Sequence, residues 1–178
     1  MKKTIVGLLL VPLFLLLSVS TVNATQPNFG TGHVSLTDSV RLSHQVIGHN
    51  TLVVFKNTFV TSGALAGKAV AIERDLIHNQ TGVSIDRGLA NFTGTLGDKS
   101  GTLVIRYEGR NNGTFIRGHF EIFGGTGQLA GVRGHGAFEG KATFPPTPLN
   151  YSLRWHVATG THDTEVNDQT KAKAKGRD

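Results

Sequence analysis

The chain carries eight histidines, at positions 33, 44, 49, 78, 119, 135, 156 and 162, and they are the first side chains to test for chemistry. No two of them stand at the close spacing that a strand or helix uses to present paired metal ligands. His119 and Glu121 alternate along one strand face, and His135 falls in the next apolar run, but a zinc site needs three or four convergent ligands. The trio therefore reads as outer polar surface, and no metal is expected. With no cysteine in the chain, thiol catalysis and disulfides are both excluded. No serine sits in a nucleophile elbow. The stretch "GGTGQLAGVRGHG", with six glycines in thirteen positions, lacks the Gly-Lys-Ser/Thr ending of a phosphate loop. It runs into the strand-like "AFEGKATF", not into the helix that a dinucleotide fingerprint requires. No catalytic residue and no cofactor are assigned.

Two side chains stand out for breaking an apolar pattern. In "KAVAIERDLIH" the row Val70, Ile72, Leu76 is apolar and Arg74 shares its side. An arginine on a buried row must be paired or must reach an opening, since an unpaired buried charge is too costly. Tyr107 lies on the apolar side of "TLVIRYEG", where its hydroxyl needs a partner.

These side chains acquire meaning only from the elements that hold them. Short runs rich in Val, Ile, Thr and Phe are cut by Gly, Asn and Asp every eight to fourteen residues, and no helical period lasts three turns beyond the leader. Strands are predicted near 31–37, 40–47, 51–61, 65–78, 83–96, 101–110, 113–123, 133–144 and 150–158. Such an unbroken succession favours an antiparallel meander, which removes its exposed edges by closing. The expected fold is all-β, a closed up-and-down barrel of about eight strands.

One hairpin yields a register. Asn112-Gly113 suits a tight type I′ turn, which pairs Leu103 with Ile122, Ile105 with Phe120, Tyr107 with Gly118 and Gly109 with Ile116 on the inner face. Arg106 with His119, Glu108 with Arg117 and Arg110 with Phe115 then face outward. In the last strand Tyr151, Leu153, Trp155 and Val157 share the inner side. The cavity candidates are thus Arg74, Tyr107, Phe120 and Trp155. Gly124, Gly125, Gly127, Gly131, Gly134 and Gly136 are read as structural, with Leu129 and Val132 dipping inward as anchors.

The amino terminus, "MKKTIVGLLLVPLFLLLSVSTVNA", has a basic start, an apolar run and small residues at Val22 and Ala24, the layout of a secretory signal peptide cleaved after Ala24. Removing Lys2 and Lys3 from the 18 basic side chains leaves 16 against 12 acidic ones, a net charge of +4. The remaining arginines and lysines are scattered, without the basic stripe of a nucleic-acid binder. Residues 161–178 hold four charges of each sign and almost nothing to bury, so a solvated tail is expected after one domain at 25–160. No membrane insertion is expected once the leader is removed.

"GKAVAIERDLIH", "FTGTLGDKSGTLVIRYEG" and "GTGQLAGVRGHGAFEG" together resemble a family of small, uncharacterised, mostly bacterial domains grouped with the allene oxide cyclase barrels, across most of 52–157. The resemblance implies an antiparallel barrel of about eight strands, related in shape to dirigent proteins and more distantly to lipocalin-like barrels. It also implies a homo-oligomer. It brings no established activity, and the cyclases' cavity residues do not carry over, because only the glycine block aligns. The preferred reading is a secreted barrel that binds a small apolar or amphiphilic ligand in its lumen. A cyclase- or isomerase-like enzyme, or a packed barrel without a ligand, are the alternatives. Catalysis is disfavoured because Glu108, Glu121 and Glu139 all fall outside, leaving no acid-base group at the cavity.

Overall fold

The computed structural model describes residues 26–143 and 148–158. The leader, residue 144 at the end of its expected strand and the charged tail lie outside them. Eight strands follow in chain order: β1 (Asn28–Ile47), β2 (Asn50–Gly63), β3 (Leu65–His78), β4 (Ser84–Leu96), β5 (Lys99–Asn111), β6 (Phe115–Gly127), β7 (Val132–Lys141) and β8 (Leu149–Val157). Each pairs antiparallel with the next, and β8 pairs with β1, closing an up-and-down ring. The ring is uneven. β8 meets β1 only from Asn28 to Val34, while β1 follows β2 on to Ile47 and β2 follows β3 as far as Asn50–His78, so the far half of β1 has no β8 neighbour.

Three sequence expectations change. The first two predicted strands are one strand, β1, because the polar Thr37–Asp38 step is a register shift, not a break. Thr37 Oγ1 donates to the Thr58 carbonyl across it at 3.1 Å, and a bulge of this kind absorbs one residue without ending the pairing.

The β5–β6 hairpin turns over four residues, 112–115, and pairs Asn111 with Ile116, Glu108 with His119 and Tyr107 with Phe120. Asn112 Oδ1 accepts from the N–H groups of Thr114 (3.1 Å) and Phe115 (2.8 Å), and Asn111 Oδ1 from that of Gly113 (2.8 Å). Only glycine enters the left-handed region here, at Gly113 (φ 84°). The asparagine side chains therefore brace a wider turn, and the type I′ turn, which needs positive φ at both centres, does not form. From Ile105 to Asn111 the slip is two residues, and a bulge between Val104 and Ile105 makes it three beyond, so that Leu103 pairs with Gly125 and Ile122 with Ile105; the side chains keep their expected faces while their partners change.

The third change reverses a face. On β3 the inward row is Leu65, Ala69, Ala71, Glu73 and Asp75, while Val70, Ile72, Arg74 and Leu76 point out to solvent. Pairing with β4 accounts for it. Inward Ser84, Asp86, Ala90 and Phe92 meet Ile77, Asp75, Ala71 and Ala69, whereas Ile72 faces Leu89 on the outside. The inner face selects small residues that leave room for rings. At Gly88, for example, an added Cβ would run into the Tyr107 ring.

The core fills one end of the ring. Phe92, Leu103, Ile122, Leu129 and Val132 are its largest fully buried side chains. Leu129 comes from the glycine-rich connection between β6 and β7, where Gly127 (φ 65°) and Gly131 (φ 75°) take the left-handed backbone of a tight turn. Hydrogen bonds from Leu129 N to Thr126 O and from Val132 N to Leu129 O, both 3.2 Å, hold that turn under the barrel.

Candidate functional site

Above this floor a cavity of about 310 Å³ opens toward the other end. Its floor is Leu65, Phe120 and Tyr151. The Tyr151 hydroxyl accepts from Leu65 N at 2.7 Å and faces the Ser62 carbonyl at 3.0 Å, tying β8 to the β2–β3 corner. Phe59, Ala69, Ala90, Ile105 and Phe138 form apolar walls. Phe59, Tyr107 and Phe138 meet edge to face, with ring centroids 6.1 and 6.5 Å apart. The glycines opposite such rings make this packing fit: Phe138 lies over Gly118 and Phe120 over Gly136, where a Cβ would collide.

Toward the mouth the lining becomes acidic. Glu73, Asp75 and Asp86 all border the cavity, with Asn57, Tyr107 and Asn111. Asp75 and Asp86 stand directly opposite each other on β3 and β4, where facing side chains are about 4.5–5.5 Å apart at Cβ. Tyr107 Oη donates to Glu73 Oε2 at 2.5 Å and Asn57 Nδ2 to Glu73 Oε1 at 2.9 Å. Ser39 Oγ donates to Asn57 Oδ1 at 2.6 Å, orienting that amide. Ser84 Oγ donates to Asp86 Oδ1 at 2.6 Å, and Asp75 shares a hydrogen bond with Glu73. The Asp75 Oδ1 atom is buried without any hydrogen-bond partner.

Burial dominates the electrostatics. It raises the Glu73 carboxyl above its ordinary value, against the lowering effect of the Tyr107 hydrogen bond. It raises Asp86 against the lowering effect of Ser84. Asp75 is pushed up to about 8, first by burial and then by the charges of Glu73 and Asp86. Burial and the Glu73 charge likewise raise Tyr107. Among the described residues no basic side chain lowers any of the three acids. Like charges crowded in a low-dielectric site cannot all ionise, so at neutral pH the cluster retains protons.

Of the four cavity candidates from the sequence, Tyr107 and Phe120 line the cavity. Arg74 does not. It lies on the outer wall opposite Arg87, because the β3 face is reversed. Trp155 packs half-buried against the core near Gly134 and is not a lining residue. The glycine block lies at the closed end, away from the acids. Glu108, Glu121 and Glu139 do face outward. Glu108 accepts from Arg87 Nε at 2.7 Å, and Glu121 stands opposite His135. Among the described residues no group of three or more His, Cys, Asp or Glu side chains is placed to hold a metal ion. Sequence reasoning missed Glu73, Asp75 and Asp86 together. The signal was the alternation Glu73-x-Asp75 and Ser84-x-Asp86 on strands joined by a short turn, which pairs the two polar steps once the hairpin is aligned.

Fold and site define a small all-β ring, closed by an apolar plug at one end and carrying an acid-lined cavity at the other. The chain belongs to the DUF3224 family, described as proteins of unknown function, whose sequence profile matches residues 30–151. A crystal structure of a DUF3224 protein of unknown function from Shewanella oneidensis MR-1 is similar, with a TM-score of 0.62 at 16% identity, over 74% of this chain and 98% of that one. At that identity the likeness concerns the fold. No curated protein matches the chain.

Proposed function

We propose that the lumen binds a small, mainly apolar molecule with one polar end, its body along Phe59, Ile105, Phe120 and Phe138 and its polar end among Glu73, Asp75, Asp86 and Tyr107. One observation carries this reading: a cavity of about 310 Å³ with apolar walls and a few convergent polar groups at one end, the usual anatomy of a small-molecule site. The signal-peptide layout of the amino-terminal sequence supports binding outside the cytoplasm. Because three carboxyls border the cavity, an acid-base group is present, and the earlier objection to an isomerase-like activity falls away. Binding remains the simpler reading, since both oxygens of Glu73 are already engaged.

The test is titration of the full chain with a neutral solvatochromic dye such as Nile red, beside an Ala90→Phe variant that fills the cavity. Saturable fluorescence enhancement is expected, weakened at least tenfold by Ala90→Phe while the far-UV circular dichroism is unchanged. Equal response from both folded proteins, or none from the wild type, would place any binding elsewhere.

A further inference from the structure

We infer that the polar end of the lumen's ligand is a protonated amine, seated between the opposed carboxyls of Asp75 and Asp86; the inference rests on the lumen being the binding site. Three independent features point there. The cross-strand register sets two acids face to face on the inner wall, an arrangement that costs stability when both ionise. Asp86 is only 6% exposed, and Ser84 is its one hydrogen-bond partner among the described residues. Asp75 lines the same cavity, and its Oδ1 atom is buried and without a hydrogen-bond partner; a buried carboxyl oxygen without a donor is costly to leave so. A compact donor with positive charge would satisfy both carboxyls.

The charged and titratable groups around the pair make the assignment specific. Glu73 on β3 is already engaged by Asn57, by Tyr107 of β5 and by the carboxyl of Asp75, whose Oδ1 atom still has no partner. On β1, Arg41 and His44 stand opposite Phe55 and Val53, toward the exposed end of the hairpin, and neither lowers the acids. On β7, Lys141 lines the outer mouth and is exposed. An ammonium group brings three donors on one charge. Its arrival favours ionised carboxylates, and Asp75, held up at about 8 before binding, then gives its proton to solvent. The apolar walls below select an alkyl or aryl body over a fully hydrated cation.

The experiment is calorimetric titration of the full chain with hexylamine, hexan-1-ol and hexanoate at pH 7, each in two buffers of different ionisation enthalpy. Hexylamine is expected to bind at least tenfold tighter than hexan-1-ol, with net proton release, and hexanoate to bind weakest. Asp75→Asn and Asp86→Asn should each reduce the amine's affinity tenfold or more and change that of hexan-1-ol by less than threefold, with a far-UV circular dichroism spectrum like the wild type's showing that the variants are folded. Equal affinity for amine and alcohol, or amine binding indifferent to both substitutions, overturns the assignment. If the alcohol still binds and loses its site in Ala90→Phe, only the amine has failed. If no probe is affected by Ala90→Phe, the lumen reading has failed as well.

Discussion

The two ends of the ring obey opposite rules. At the closed end, Leu129 and Phe92 are 0% exposed and the largest fully buried side chains are all apolar, so the sequence, strand pattern and packing agree. At the open end, Glu73, Asp75 and Asp86 occupy inward positions that a stability argument alone would give to valine or leucine. The contrast shows where this fold is anchored and where it tolerates cost. Departures from local consistency gather at functional sites and are offset elsewhere, and here the offset is the plug.

The largest effect that would sharpen the contrast is loss of the plug. Leu129→Ala removes a fully buried side chain from a surround of strands that cannot easily collapse around the gap. Truncations of this kind cost about 2–5 kcal/mol. Urea unfolding followed through Trp155, the single tryptophan of the chain, reports on that end directly. A loss below about 1 kcal/mol, outside the usual range for such sites, would show that the glycine-rich connection is not an anchor.

The opposite outcome is expected at the mouth. The Asp75 carboxyl titrates at about 8 in the folded chain, against 3.8 as its ordinary value. Between those values the folded state binds more protons than the unfolded one, so stability falls as pH rises through the window and levels off above it. Asp75→Asn keeps the shape and removes the titration. The variant should match the wild type near pH 3 and melt at a higher temperature at pH 8 to 9, with a flatter profile between. A wild-type melting temperature that climbs from pH 5 to pH 8 more steeply than the variant's would reverse the assignment.

The closed end was largely legible in the sequence, and the open end was not, for a physical reason visible in β3. Alternation along "KAVAIERDLIH" divides the strand correctly into two faces. It does not say which face is inward, and the usual rule chooses the apolar one, Val70, Ile72 and Leu76. In this ring those residues are exposed, Ile72 by 46% and its partner Leu89 by 52%, because the inner face is reserved for small residues, rings and acids. The rule works where the interior is a packed core, as for Leu103, Ile122 and Leu153. It inverts where the interior is a cavity. Hairpin parity was more robust: the β5–β6 register moved by two residues and Tyr107 and Phe120 still pointed inward, because a two-residue slip preserves faces.

The smallest expected effect lies on the outer wall, where the same residue types have almost no leverage. Glu108 accepts from Arg87 at 2.7 Å, yet the two side chains are 42% and 66% exposed. The bond holds the Glu108 carboxyl below its ordinary value, the opposite direction to Asp75, so its contribution is present above that ordinary value and lost as pH falls. Both partners remain in water, where screening and side-chain entropy cancel most of the attraction. Losing Glu108 leaves Arg87 facing Arg74 across β3 and β4, but two hydrated guanidinium groups can turn apart. Glu108→Gln should therefore leave the urea midpoint within experimental scatter at moderate salt and alter no probe affinity in the lumen. A shift comparable to that of Leu129→Ala, or a weakened amine, would mean that the outer wall is coupled to the cavity through Tyr107, whose strand neighbour is Glu108. The division between an anchored floor, a costly mouth and an indifferent exterior would then fail at β5.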